Sequence, residues 1–147
     1  MIRPAGQQDV RFLRDMLRHA YHWRVGDLDA PVYRYVANWG RPGDFGLIRL
    51  EGMHSVAAAW YRLFPDSEPG FGFVDAATPE LTIAVVPSRR SRGYARELLE
   101  ALLAHAREDG FGAISLSSPR ERTALYERFG FAQVEDKGAA VTMRAQL

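Results

Sequence analysis

Four arginines, Arg89, Arg90, Arg92 and Arg96, bracket Gly93 and the small residue Ala95. They follow a compact apolar run, Leu81 to Val86, that Pro87 stops, and they open a stretch with helical periodicity from Gly93 to Asp109. A helix N-terminus offers backbone N–H groups without intrahelical acceptors and a partial positive charge, which together suit an anion. A glycine at that entrance lets a bulky phosphate approach the backbone, and Ala95 keeps the first turn narrow. Guanidinium groups match phosphate oxygens with paired donors. Strand, basic turn and helix therefore suit a pyrophosphate. A solvated helix entrance would use the same residue types, but four arginines on one glycine-marked turn favour the phosphate.

Other chemistries find less support. G-x-x-x-x-G-K-[ST] and G-x-G-x-x-G are both absent, and no G-x-S-x-G or Ser-His-Asp pattern is legible. The chain has no cysteine, which removes disulfides, thiolate metal sites and cysteine nucleophiles. His19 and His22 share a helix face at i,i+3 without a third ligand in reach, so they read as ordinary helix surface and no metal is expected.

The elements that would position the turn can be laid out along the chain. Met1 to Pro4 reads as a strand. Gln8 to Tyr21 reads as an amphipathic helix through Val10, Leu13, Leu17 and Ala20. Asp29, Ala30 and Pro31 look like a helix start leading into V-Y-R-Y-V-A-N-W, with Asp29 as cap. Phe45 to Leu50 and Ser55 to Phe64 read as strands joined by a hairpin at Glu51-Gly52-Met53-His54. A loop rich in glycine, proline and acid runs from Pro65 to Pro79. After the helix ending at Gly110 come a strand around Ala113 to Leu116, a short helix from Thr123 to Phe129, and strands at Phe131 to Val134 and Ala139 to Met143. The order is mixed α/β, not an alternating βαβ series.

A chain of 147 residues, 47% hydrophobic and 25% charged, fits one globular domain with a buried core. The net charge of +1 supplies no global field toward nucleic acid or anionic membrane. The N-terminal sequence has no apolar run of the secretory kind, and no stretch approaches the roughly 20 apolar residues of a membrane span. A cytoplasmic protein with no nucleic-acid or membrane partner is expected.

The pattern that is present is R-x-x-G-x-A, from Arg90 through Gly93 to Ala95, behind a strand ending in V-x-P. In this setting the chain resembles the GNAT superfamily of acetyl-CoA-dependent N-acetyltransferases, whose signature is [RQ]-x-x-G-x-[GA]. The later L-Y-E-R-F-G-F, Leu125 to Phe131, resembles that superfamily's second landmark at the expected separation. The resemblance is detailed from Glu80 to Val134, and the order of elements extends it loosely to the whole chain. Many members carry an asparagine seven residues before the landmark tyrosine, where this chain has Pro119; the match there leans on Tyr126, Gly130 and Phe131.

The resemblance implies a single α/β (α+β) domain over residues 1–147, with a central, mostly antiparallel mixed sheet flanked by helices. It implies direct acetyl transfer from acetyl-CoA to a primary amine, with no acyl-enzyme and no metal. Arg89, Arg90, Ser91, Arg92, Gly93, Tyr94, Ala95 and Arg96 would hold the phosphates, Arg89 reaching the adenosine 3′-phosphate or only water. The strand end would splay from its neighbour, so that Val85 and Val86 offer main-chain groups to the pantetheine arm, and one N–H there could hold the thioester oxyanion. Tyr126 would protonate the leaving thiolate; its plain alternative is a half-buried aromatic at a helix end.

Glu80, at the start of the same strand, would stand beside the reaction centre. An alkyl amine with a pKa near 10 is free base to only about one part in a thousand at pH 7, and a carboxylate can take that proton directly or through water. The alternative is a surface glutamate at a strand end. The acceptor, a small-molecule or peptide amine, is not legible: Asp66, Glu68 and Asp75 could attract a cation, while Arg41 and Arg62 could hold a carboxylate. Oligomeric state, a homodimer included, stays open. Two rivals remain, a non-catalytic acyl-CoA-binding or regulatory module of the same fold and a nucleic-acid binder using the arginines; the low net charge counts against the second.

Overall fold

The structure, a computed structural model, describes residues 1–23 and 30–147. Seven strands, β1 Ile2–Pro4, β2 Phe45–Glu51, β3 His54–Arg62, β4 Glu80–Val85, β5 Ala113–Pro119, β6 Phe131–Asp136 and β7 Ala140–Gln146, form one sheet in the order β1-β2-β3-β4-β5-β7-β6. Neighbours are antiparallel except β4 and β5, which run parallel and share a single register pair, Glu80 opposite Ser115. The helices are α1 Val10–Tyr21, α2 Ala30–Tyr33, α3 Tyr94–Glu108 and α4 Thr123–Glu127. This is the mixed sheet flanked by helices that the sequence implies.

Strand alternation builds a core on each face of the sheet. From β3, Ala57, Ala59 and Tyr61 pack with Leu98, Leu99, Leu102 and Leu103 of α3. Ala58 and Trp60 point the other way, into a core with Leu13, Met16 and Leu17 of α1. The predicted hairpin at Glu51 to His54 is present, with Gly52 at φ 59°. A 3₁₀ turn, Gln7–Asp9, leads into α1, and Asp9 anchors it by accepting from both Arg3 guanidinium nitrogens at 2.8 Å and from the Gly6 N–H.

The segment after Pro31 departs from the expected helix. It makes one helical turn, and then the backbone reverses through Asn38 at φ 55° and Gly40 at φ 109°. The reason is Arg62, which is fully buried and donates to the carbonyls of Arg34 and Ala37 at 2.8 and 2.7 Å. A continuing helix would have needed the Arg34 carbonyl for itself. Arg62 also pairs with Asp44 at 2.9 and 2.7 Å, so it is committed to the fold and not available to hold a substrate carboxylate. The helix cap expected at Asp29 lies outside the described residues. Among the described residues no helix is long and apolar enough to cross a membrane.

Candidate active site

The site begins where β4 leaves β5. The Ser115 N–H donates to the Pro79 carbonyl at 2.9 Å, and alternation turns the main chain of Leu81, Ile83 and Val85 to that same side. Beyond Glu80 the two strands share no register pair, so the main-chain groups of Ile83 and Val85 face a gap. Val86 differs: its N–H donates to the Val56 carbonyl at 2.9 Å, and its carbonyl accepts from the Arg89 N–H at 2.9 Å. Of the two valines expected to offer main-chain groups, only Val85 turns them toward the gap.

A cleft of about 450 Å³ fills this gap. Its floor is Leu81 to Val85, and its walls are the arginine turn, the end of α1 from His19 to Trp23, and the region from Pro119 to Tyr126. Glycine is required at the turn. Gly93 sits at φ 83°, a left-handed backbone that a residue with a Cβ adopts only with strain, and Ser91 is at φ 66°. A Cβ on Gly93 would meet nothing within 4 Å among the described residues, so the space beside it is open. The first intrahelical acceptor is the Gly93 carbonyl, which receives the Glu97 N–H at 3.1 Å. The N–H groups of Tyr94, Ala95 and Arg96 therefore have no partner from the helix itself. Among the described residues those of Ser91, Arg92 and Gly93 have no backbone acceptor either.

The four arginines divide into two pairs. Arg89 donates from Nε to Glu51 at 2.8 Å, and Arg92 donates from Nη1 to the other Glu51 oxygen at 3.0 Å. The Tyr94 hydroxyl donates to Glu51 as well. These contacts, the Tyr94 hydroxyl first, hold the Glu51 carboxyl below the usual range. Arg90 and Arg96 form no ion pair among the described residues, and both line the cleft, as Arg89 does; Arg92 does not.

Tyr126 lies in α4, buried, with its ring edge-on to Phe131 at 6.0 Å, and it lines the cleft. Burial pushes its phenol up to about 12, against a smaller opposing effect of Arg122. Glu80 is 1% exposed, so it is no surface glutamate, and it stands outside the cleft lining although its neighbours Leu81 and Thr82 belong to it. The Tyr35 hydroxyl donates to Glu80 and accepts the Phe71 N–H at 2.7 Å. Burial, and then the charge of Glu80, raises the Tyr35 pKa well above its usual value, which keeps it a donor. Tyr21 packs on Tyr35 with ring centroids 5.0 Å apart, and its hydroxyl meets Thr82 Oγ1 at 2.9 Å. Gly70 closes this nest: a Cβ there would come within 2.3 Å of Glu80 Oε1.

Sequence reasoning passed over Glu51, Tyr35 and the end of α1. His19, read as plain helix surface, is half-buried on the cleft wall. Desolvation, and then the charge of Arg90, lowers its pKa, which favours the neutral imidazole. No local pattern marks these residues, because each reaches the site from a distant element.

Comparison with known proteins bears on the whole arrangement. The sequence profile described as the Acetyltransferase (GNAT) family matches residues 10–131. No protein among the curated ones matches the chain. A ribosomal-protein-alanine N-acetyltransferase from Brucella melitensis superposes with a TM-score of 0.75 at 22% identity, covering 100% of this chain and 99% of its own. The yncA protein from Salmonella typhimurium, solved with its cofactor acetyl-CoA, gives 0.73 at 21% identity over 100% and 93%. The PaiA N-acetyltransferase from Thermoplasma acidophilum, in complex with coenzyme A, gives 0.69 at 12% identity over 100% and 99%. At such identities the likeness is one of fold.

Proposed function

The chain belongs to the GNAT acetyltransferase family, and from that premise we propose that it binds acetyl-CoA in the cleft and transfers the acetyl group directly to a primary amine. One observation carries this reading. Among the described residues, the N–H groups of Ser91 and of Gly93 to Arg96 that lack a backbone acceptor, Arg90 and Arg96, which form no ion pair, and the edge of β4 beyond Glu80 all open on one cleft. Such a site fits a long molecule with a pyrophosphate at one end and an amide-bearing arm along a strand.

In this reading the turn from Arg89 to Arg96 binds the phosphates, and the main chain of Ile83 and Val85 pairs with the pantetheine amides. Tyr126 donates to the departing thiolate, whose developing charge a phenol stabilises mainly in the transition state. Glu80 takes the ammonium proton. Its burial behind the cleft floor means that the proton reaches it through an intervening group, a water or the neighbouring Tyr35 and Tyr21 hydroxyls. The amine attacks the thioester carbonyl, the tetrahedral intermediate expels the thiolate, and no residue is acylated.

The test is thiol release from acetyl-CoA with a panel of amines. The panel includes a peptide with N-terminal alanine, since a protein of similar fold is a ribosomal-protein-alanine N-acetyltransferase. Amine-dependent release with matching acetyl-amine product is expected. Tight acetyl-CoA binding with no turnover on any amine would favour the non-catalytic module.

A further inference from the structure

The two arginines held by Glu51 belong to the turn proposed to bind the phosphates, and Arg89 also lines the cleft. Glu51 is the last residue of β2, at the hairpin, and its carboxylate crosses to the phosphate turn on a different part of the chain. There it accepts from Arg89, Arg92 and the Tyr94 hydroxyl. Two guanidiniums and a hydroxyl converging on two oxygens is the coordination that a phosphate oxyanion would take at the same place. The ion pairs are open to solvent, with the Arg89 and Arg92 side chains 36% and 51% exposed. Pairs of this kind are individually weak and exchange readily.

We propose that Glu51 is an internal counter-ion that competes with the phosphates of coenzyme A for Arg89 and Arg92, and so sets how tightly the cofactor is held. This rests on the reading that the turn binds coenzyme A. The carboxylate and an incoming phosphate are both anions, so Glu51 acts in two ways at once: it occupies donors, and it repels the ligand. Arg90 and Arg96 carry no such partner among the described residues and supply the standing attraction. Acetyl-CoA and the product CoA bear the same phosphates, so a carboxylate that loosens one loosens the other. The consequence is faster product release without any change at the thioester, the signature of an interaction that acts equally on ground and transition states.

The experiment is calorimetric titration of the full chain with CoA and with dephospho-CoA, at low and at high salt. It compares wild type with Glu51→Gln, which keeps an acceptor for Tyr94, and with Glu51→Ala. Loss of one unit charge near a bound anion should tighten CoA binding about fivefold at low salt, and the gain should shrink at high salt as screening takes over. Dephospho-CoA, with fewer charges, should gain less. Affinity equal to or weaker than wild type would overturn the proposal, since Glu51 would then orient the arginines for the ligand. Loss of the folded state in both variants would overturn it too, by making the carboxylate structural. Wild type that binds neither ligand would overturn the cofactor reading itself, a separate result.

Discussion

At the scale of single residues, the proposed mechanism divides the proton work between Tyr126 and Glu80, and their surroundings fix what each can do. Burial holds the Tyr126 phenol at about 12, so it stays protonated over any practical assay range and loses its proton only as pH rises through that value. A basic limb in the rate profile below pH 10 therefore belongs to another group. Tyr126→Phe should lower kcat about ten- to a thousandfold, with KM for acetyl-CoA little changed, because the hydroxyl acts mainly in the transition state. Unaltered kcat would leave Tyr126 as packing against Phe131. For Glu80, glutamine keeps an acceptor for the Tyr35 hydroxyl and removes only the basicity. Glu80→Gln should be slow at neutral pH and recover part of its activity as pH rises toward the amine's own pKa, where the acceptor deprotonates unaided. A profile parallel to wild type, at the same rate, would deny Glu80 the proton.

At the scale of elements, the strand–turn–helix unit was legible because all its signals are local. Leu81 to Val86 is apolar, Pro87 ends it, Gly93 admits a positive φ, and leucines at helical spacing follow. The fate of its arginines was not legible, since Glu51 arrives from the β2–β3 hairpin. The same holds for the segment after Pro31, whose helix is cut short by Arg62 from β3, and for Glu80, which a strand-end position made look exposed. Wherever a tertiary partner overrode local preference, the sequence misled. The turn itself yields a sharp test in Gly93→Val. A Cβ there meets no neighbour within 4 Å among the described residues, but φ 83° costs a β-branched residue about 1–3 kcal/mol. The variant should fold with a lowered midpoint and lose CoA binding, as the branches fill the approach to the turn. Retained affinity would mean that the phosphates bind elsewhere.

At the scale of the whole molecule, the sheet is two antiparallel halves, β1 to β4 and β5 to β7, meeting at one parallel register pair. The hydrogen bonds missing from that seam are what open the cleft, so the feature that makes a binding site also leaves the sheet weakly joined. The core on the α3 face bridges the gap, α3 packing against β2, β3 and β4 while β5 and β7 share its cluster. A ligand lying along β4, with its phosphates on the turn before α3 and its arm toward Tyr126 on α4, would touch both halves at once. Binding only the folded state, it stabilises by mass action, about 2.7 kcal/mol at a hundred times Kd. For a domain of this size that corresponds to a rise in Tm of about 5–10 °C. Amide exchange should slow at Ile83 and Val85, whose N–H groups face the seam, and much less at Val86, whose N–H is already held by Val56. Protection at Val86 equal to that at Val85 would put the ligand off the β4 edge, and no rise in Tm at saturating acetyl-CoA would remove the cofactor from the cleft.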